Sequence, residues 1–322
     1  MINIRSRLAS GVRRVQRAFG IIHPAILMYH RVAEPIADPG RLAVSPDNFE
    51  QQLLLLREHA TVVPLSFLAE RHERGVSSRG MVAITFDDGY PDVLEVALPL
   101  LQKHQYPATV FLPTDYMMDQ RPFWWDVLAH VFLELADLPQ ELDLEFEGRR
   151  HQFTLNSPDA RRAAHGQIWA ALRLSDEPPR REAIARIEEW AALSDLQWNS
   201  AHRCITADEA MRAHQPGFFD IGAHTKSHPS LPTLPPHRQR EEIAGGVSIL
   251  REMLGGDVSS FAYPYGDYDK QVVDIVRAAG IRYACTTHHR RIGRRAAPLE
   301  LPRLNVTNLN VSRFRSKILA HG

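Results

Sequence analysis

At 322 residues the chain is long enough for one large α/β domain or two smaller ones, and its 44% apolar and 24% charged content is that of an ordinary soluble globular protein. Lys+Arg and Asp+Glu balance at 38 each, which excludes a global field that would recruit nucleic acid. Two cysteines, Cys204 and Cys285, are too few for a disulfide framework or a thiolate metal site, and no run reaches the ~20 apolar residues of a membrane span.

Residues 1–20 hold five arginines and no acid, and the arginines interrupt every candidate secretory core. Ile4, Leu8, Val12 and Val15 fall about one turn apart, so the segment reads as a basic amphipathic helix, either solvated or resting on an anionic membrane surface. An apolar run over 25–30 predicts the first strand. Ser45-Pro46 is an N-cap with proline at the first helical position, and Phe49, Leu53 and Leu56 recur at helical spacing. Strands are predicted over 61–65, 81–86 and 107–112.

Regularity breaks after 112. Residues from about 120 to 200 are rich in tryptophan and charge, and read as a mostly helical insertion with a hairpin over 142–155 turning at Gly148. Thr206 to Glu209 is a capping box. Strands are then predicted over 218–223, 259–263 and 281–286, with helices over 237–254 and 269–279, and 311–319 reads as a basic helix. Strands alternating with helices on both sides of the insertion define an α/β architecture.

Three motifs stand at the ends of predicted strands, where α/β folds place their ligands. Thr85-Phe86-Asp87-Asp88-Gly89 puts two carboxylates directly after an apolar strand, a costly arrangement unless they are solvated, paired or bound to a cation. His224-Thr225-Lys226-Ser227-His228 follows another strand; with Asp88 its imidazoles offer two nitrogens and one oxygen, the usual protein share of a catalytic zinc site. Phe261-Ala262-Tyr263-Pro264-Tyr265-Gly266 could turn backbone N–H groups into a pocket, as an oxyanion site requires. Each alone is also compatible with an ordinary turn or an incidental histidine pair.

Taken in this order, the three motifs resemble those of the polysaccharide deacetylases, carbohydrate esterase family four or NodB-homology domain, over roughly residues 25–115 and 205–305. The resemblance implies a distorted (β/α) barrel with fewer than eight strand–helix units, spanning 21–322 apart from the insertion. It implies Asp87 as general base, and Asp88, His224 and His228 as ligands of a divalent metal, usually Zn2+. It also implies Pro264 and Tyr265 at the substrate, with the Tyr265 backbone N–H facing the oxyanion.

Some family features are displaced. The family's arginine two residues before the third-motif proline is Ala262 here, so Arg303, placed just after the last strand-like segment, is the candidate to orient Asp87, against a plain surface arginine. No tryptophan follows Trp198, so the fourth motif is missing. For the general acid, His30 in Met28-Tyr29-His30 is preferred over His321 near the terminus. Trp124 and Trp125 are either a stacking platform for sugar rings or anchors of the insertion, and Asp115 could line the pocket.

The expected activity is deacetylation of N-acetylhexosamine units in a polysaccharide, oligosaccharide or lipid-linked glycan. Deformylation or another amide hydrolysis would use the same site, and a decayed carbohydrate-binding protein is the contrasting class. The expected partners are an N-acetylated glycan, no nucleic acid, and a peripheral membrane contact through 1–20. The expected location is cytoplasmic, either free or peripheral at the inner membrane face.

Overall fold

The computed structural model describes residues 23–146, 148–193 and 198–319. The basic segment 1–20 and His321 lie outside the described residues. The strands in chain order are β1 (Ala25–Tyr29), β2 (Arg31–Val32), β3 (Ala43–Val44), β4 (Thr61–Val62), β5 (Met81–Phe86), β6 (Ala108–Leu112), β7 (Glu141–Phe146), β8 (Arg149–Thr154), β9 (Phe219–Ala223), β10 (Ser260–Ala262), β11 (Tyr283–His289) and β12 (Leu301–Asn305).

Seven of these close a parallel barrel in the order β1, β12, β11, β10, β9, β6, β5, with β5 returning to β1 and β4 adding to the start of β5. The apolar runs of β1, β5 and β6 are buried at every residue, as expected where side chains on one face fill a barrel and those on the other meet helices. The helix Pro46–His59 starts as its sequence dictates: the Ser45 hydroxyl accepts the Asn48 N–H, and Phe49, Leu53 and Leu56 point inward. The segment expected as one helix over 237–254 runs as Pro236–Arg240 and Gly246–Leu254 joined through a π turn, Glu241–Gly245.

Register decides which loops meet. Tyr29 pairs with Phe86, and the Asp87 N–H continues the ladder onto the Tyr29 carbonyl at 2.9 Å, so His30 and Asp87 leave the barrel side by side. Leu112 pairs with Ala223, and the His224 N–H donates to the Leu112 carbonyl at 3.1 Å. Every loop carrying a motif therefore opens at the same end.

Between β6 and β9 lie the antiparallel hairpin β7–β8 and two long helices, Pro158–Leu174 and Glu177–Trp190. Alternation in β7 buries Leu142, Leu144 and Phe146 and exposes the residues between them. The insertion is tied to the barrel mouth: Arg173 reaches both oxygens of Asp267 at 2.8 and 2.6 Å, and Arg180 donates to the Ser227 carbonyl at 2.7 Å. Arg303, expected just after the last strand, sits instead inside β12, which fills the seam between β1 and β11.

Candidate active site

Asp87 and Asp88 leave β5 in a tight turn that needs glycine at position 89. Asp88 has φ +68° and Gly89 has φ +68°, and a Cβ on Gly89 would run into the Leu112 side chain. The two carboxylates therefore point to different partners. Asp87 turns to Arg303, whose Nη1 and Nη2 donate to its two oxygens at 2.6 and 2.7 Å. Arg303 is fully buried and is itself fixed by Nε donating to the Thr286 carbonyl at 3.0 Å and Nη1 to the Thr85 hydroxyl at 3.2 Å. Burial works against ionisation of Asp87, but the charge and paired hydrogen bonds of Arg303 outweigh it and hold the carboxyl well below the usual carboxylate range.

Asp88 turns to the histidine pair. Its Oδ1 lies 3.5 Å from Nε2 of His224 and 3.4 Å from Nε2 of His228, and the potential ligand atoms of all three residues fall within 4.8 Å of one another. All three are buried, and Asp88 Oδ1 has no hydrogen-bond partner. Such an orphaned buried carboxylate oxygen between two imidazoles fits a cation, and two nitrogens plus one oxygen suit a zinc-type ion with positions left open. His224 is oriented from behind, its Nδ1 2.7 Å from the Ala262 carbonyl, which leaves Nε2 to face the cluster. Burial pushes the His228 imidazole down to about 3, so it is a neutral donor at physiological pH.

The loop that carries the histidines is clamped on both sides. Glu242 accepts from the Lys226 and Ser227 N–H groups and the Ser227 hydroxyl, while Arg180 reaches the carbonyls of Ser227 and His228. Those restraints hold strained backbone at Thr225 (φ +67°) and His228 (φ +57°), and on their own turns Tyr265 (φ +58°) and Asp88 also adopt the left-handed region without being glycine.

His30, Asp87, Asp88, His224, His228 and Tyr265 all line one cavity of about 460 Å3. His30 Nε2 stands 4.0 Å from Asp87 Oδ2. The Tyr265 ring packs edge-on to His228 with centroids 4.6 Å apart, and its carbonyl accepts from the Thr287 hydroxyl at 3.1 Å. Pro264 is buried beneath that turn.

Residues 74–154 and 185–284, together more than half of the chain, match the polysaccharide deacetylase family. The chain belongs to the polysaccharide deacetylase family. Chitin deacetylase 1 of Cryptococcus neoformans is 29% identical over 79 residues, which cover 24% of this chain and 17% of that relative's length. Among solved structures, the Streptococcus pyogenes deacetylase PplD in complex with acetate is similar with a TM-score of 0.59 at 18% identity, covering 93% of this chain and 99% of that one. IcaB from Ammonifex degensii gives 0.56 at 21% identity over 89% and 92% of the two chains. A polysaccharide deacetylase from Bacillus cereus gives 0.56 at 19% over 92% and 69%. At these identities the likeness shows the shared barrel fold.

On this deacetylase barrel the insertion supplies walls that the motifs do not reveal. The two consecutive tryptophans part ways. Trp125 lines the cavity, lies 4.9 Å from His228 between ring centroids, and donates through Nε1 to the Tyr90 hydroxyl at 2.8 Å. Trp124 does not line the cavity: it is 2% exposed, packed edge-on to Trp125 and beside Arg180, so as a sugar platform it is corrected to an anchor of the insertion. Asp115 likewise turns away, toward Lys226 at 3.9 Å, and is not among the lining residues.

Sequence reasoning missed Arg180, which braces the loop carrying His224 and His228 from the helix Glu177–Trp190. A signal existed: Arg180 shares a buried stripe with Ala183, Ile184 and Ile187, at spacing where an apolar residue is expected. It also missed the loop 35–42 and the helix Pro158–Leu174 as parts of the cavity wall.

Proposed function

We propose that this protein hydrolyses the N-acetyl group from N-acetylhexosamine units of a glycan, with a divalent cation, zinc by ligand type, held by Asp88, His224 and His228. The observation that carries the reading is the buried Asp88–His224–His228 cluster lying beside an arginine-clamped Asp87 on the wall of one cavity. A chitin deacetylase among the relatives, and a similar deacetylase solved with acetate, support acetyl as the group removed.

When bound, the cation polarises the amide carbonyl and acidifies water. The remaining chemistry belongs to the chain. Arg303 fixes Asp87 as an oriented carboxylate that accepts the proton of the attacking water. The backbone N–H of Tyr265, in a turn at the cavity wall, faces the oxygen on which negative charge develops. His30, 4.0 Å from Asp87, delivers a proton to the nitrogen as the C–N bond breaks, so the products are acetate and the free amine. Trp125 and Tyr265 present ring surface to the apolar faces of the sugar.

The test is acetate release from N-acetylglucosamine polymers, oligomers and lipid-linked sugars, before and after chelation and after zinc is returned. Chelator-sensitive acetate release supports the reading. Formate release from formamido sugars alone would replace it, and tight sugar binding with no turnover in the zinc-loaded protein would overturn it. The basic segment 1–20 carries the related proposal of a cytoplasmic enzyme resting on the inner membrane face, tested by whether deleting 1–20 frees it from membrane fractions.

A further inference from the structure

The helix Pro158–Leu174 contributes three residues to the cavity wall, His165, Gly166 and Trp169. Gly166 stands at the middle of this 17-residue helix, where glycine is the least favourable residue after proline. Packing does not demand it, because a Cβ there would meet nothing within 4 Å. The helix thus carries a notch that faces the cavity.

Beside the notch, His165 is 9% exposed, lines the same cavity, and has no hydrogen-bond partner for its Nε2. A buried polar atom left without a partner is disfavoured until a water, a ligand or a small rotation of the ring completes it. Burial lowers its affinity for a proton, so the imidazole is neutral, with one ring nitrogen donating and the other accepting. Trp169 follows one turn later and packs edge-on to Tyr265, with centroids 6.2 Å apart, so the wall joins directly onto the turn of the third motif.

We infer that His165, Gly166 and Trp169 form a recognition wall for a neutral sugar ring. Gly166 leaves the room, His165 exchanges hydrogen bonds with a hydroxyl or acetamido group, and Trp169 presents an aromatic face. A neutral imidazole flanked by glycine and tryptophan supplies hydrogen bonds and ring surface without a formal charge, which suits an uncharged pyranose better than a phosphate or a uronate. The inference rests on the deacetylase reading but assigns residues outside the three motifs.

The experiment compares wild type with His165→Ala, His165→Gln, Gly166→Ala and Gly166→Leu. Acetate release from N-acetylglucosamine oligomers and oligomer binding by tryptophan fluorescence are followed in parallel. His165→Ala should raise KM and Kd about tenfold with kcat within about twofold, and His165→Gln should recover part of the loss. Gly166→Leu should raise both constants by about tenfold or more while raising the unfolding temperature, and Gly166→Ala should raise the unfolding temperature with a smaller effect on binding. Unchanged KM and Kd in His165→Ala and Gly166→Leu would overturn the inference. Wild type that binds oligomers without releasing acetate would sink the deacetylase reading alone, because the binding arm still tests the wall.

Discussion

Replacing Arg303 with methionine tests the pairing on which the orientation of Asp87 depends. The guanidinium and carboxylate are joined by two hydrogen bonds of 2.6 and 2.7 Å, and neither residue is more than 3% exposed. With about 4 Å between charge centres and an effective dielectric near 20, their attraction is about 4 kcal/mol. Removing one partner leaves the other charge buried and uncompensated, which costs about 3–5 kcal/mol. Removing both charges, in Asp87→Asn with Arg303→Met, should therefore cost less than the sum of the single changes, with a coupling of about 2 kcal/mol or more. Urea unfolding of the metal-stripped wild type, both single variants and the double variant measures this coupling. Arg303→Met should also lose at least ~100-fold in kcat, because Asp87 is no longer held in line. Arg303→Lys keeps the charge without the fork and should fall between. Additive stability losses, together with a kcat within a few-fold of wild type, would refute the reasoning.

Asp88→Asn should abolish stoichiometric metal uptake; chelation should then lower the unfolding temperature of wild type and leave the variant unmoved, as metal analysis and thermal scans can check. His30→Ala should lower kcat by about 10²–10⁴ with little change in KM, and unaltered turnover would remove His30 as the proton donor. Arg180→Met takes the donor from the carbonyls of Ser227 and His228, so metal affinity should weaken by about 10–100-fold in competition with a chelator, and equal affinity would show that the clamp is dispensable. Glu209, hydrogen-bonded by Arg203 and closing the cap at Thr206, is pulled down to about 2. That value lies below the ~4.3 of an unfolded chain, so its contribution is present above about pH 4.3 and is lost as pH falls toward 2. Wild type should lose urea stability more steeply than Glu209→Gln across that window, and parallel curves would contradict it.

The strands that carry the first two motifs were legible because each is a short apolar run ended by a charged or imidazole group, and the register then brings their ends together. β12 was not legible. Leu301-Pro302-Arg303-Leu304-Asn305 has proline and arginine at its centre, both unfavourable signs for an interior strand. The arginine is tolerated there because Asp87, two strands away and 216 residues distant in sequence, receives its charge while Thr286 and Thr85 accept its remaining hydrogen bonds. Trp124 and Trp125 could not be separated by composition, yet neighbours on a helix point about 100° apart, so only one of them faces the cavity. The wall from Pro158–Leu174 was hidden for a similar reason: a helical glycine reads as a weakness until the space beside it is known.

The position of Arg303 on β12 also orders the birth of the site during synthesis. β12 is translated after every other barrel strand and is the piece that bridges β11 to β1. A nascent chain that has emerged only as far as residue 300 already holds Asp88, His224 and His228, but its Asp87 has no guanidinium to receive it. The partner that orients Asp87 thus arrives with the strand that closes the seam, so closure of the barrel and orientation of Asp87 are one event.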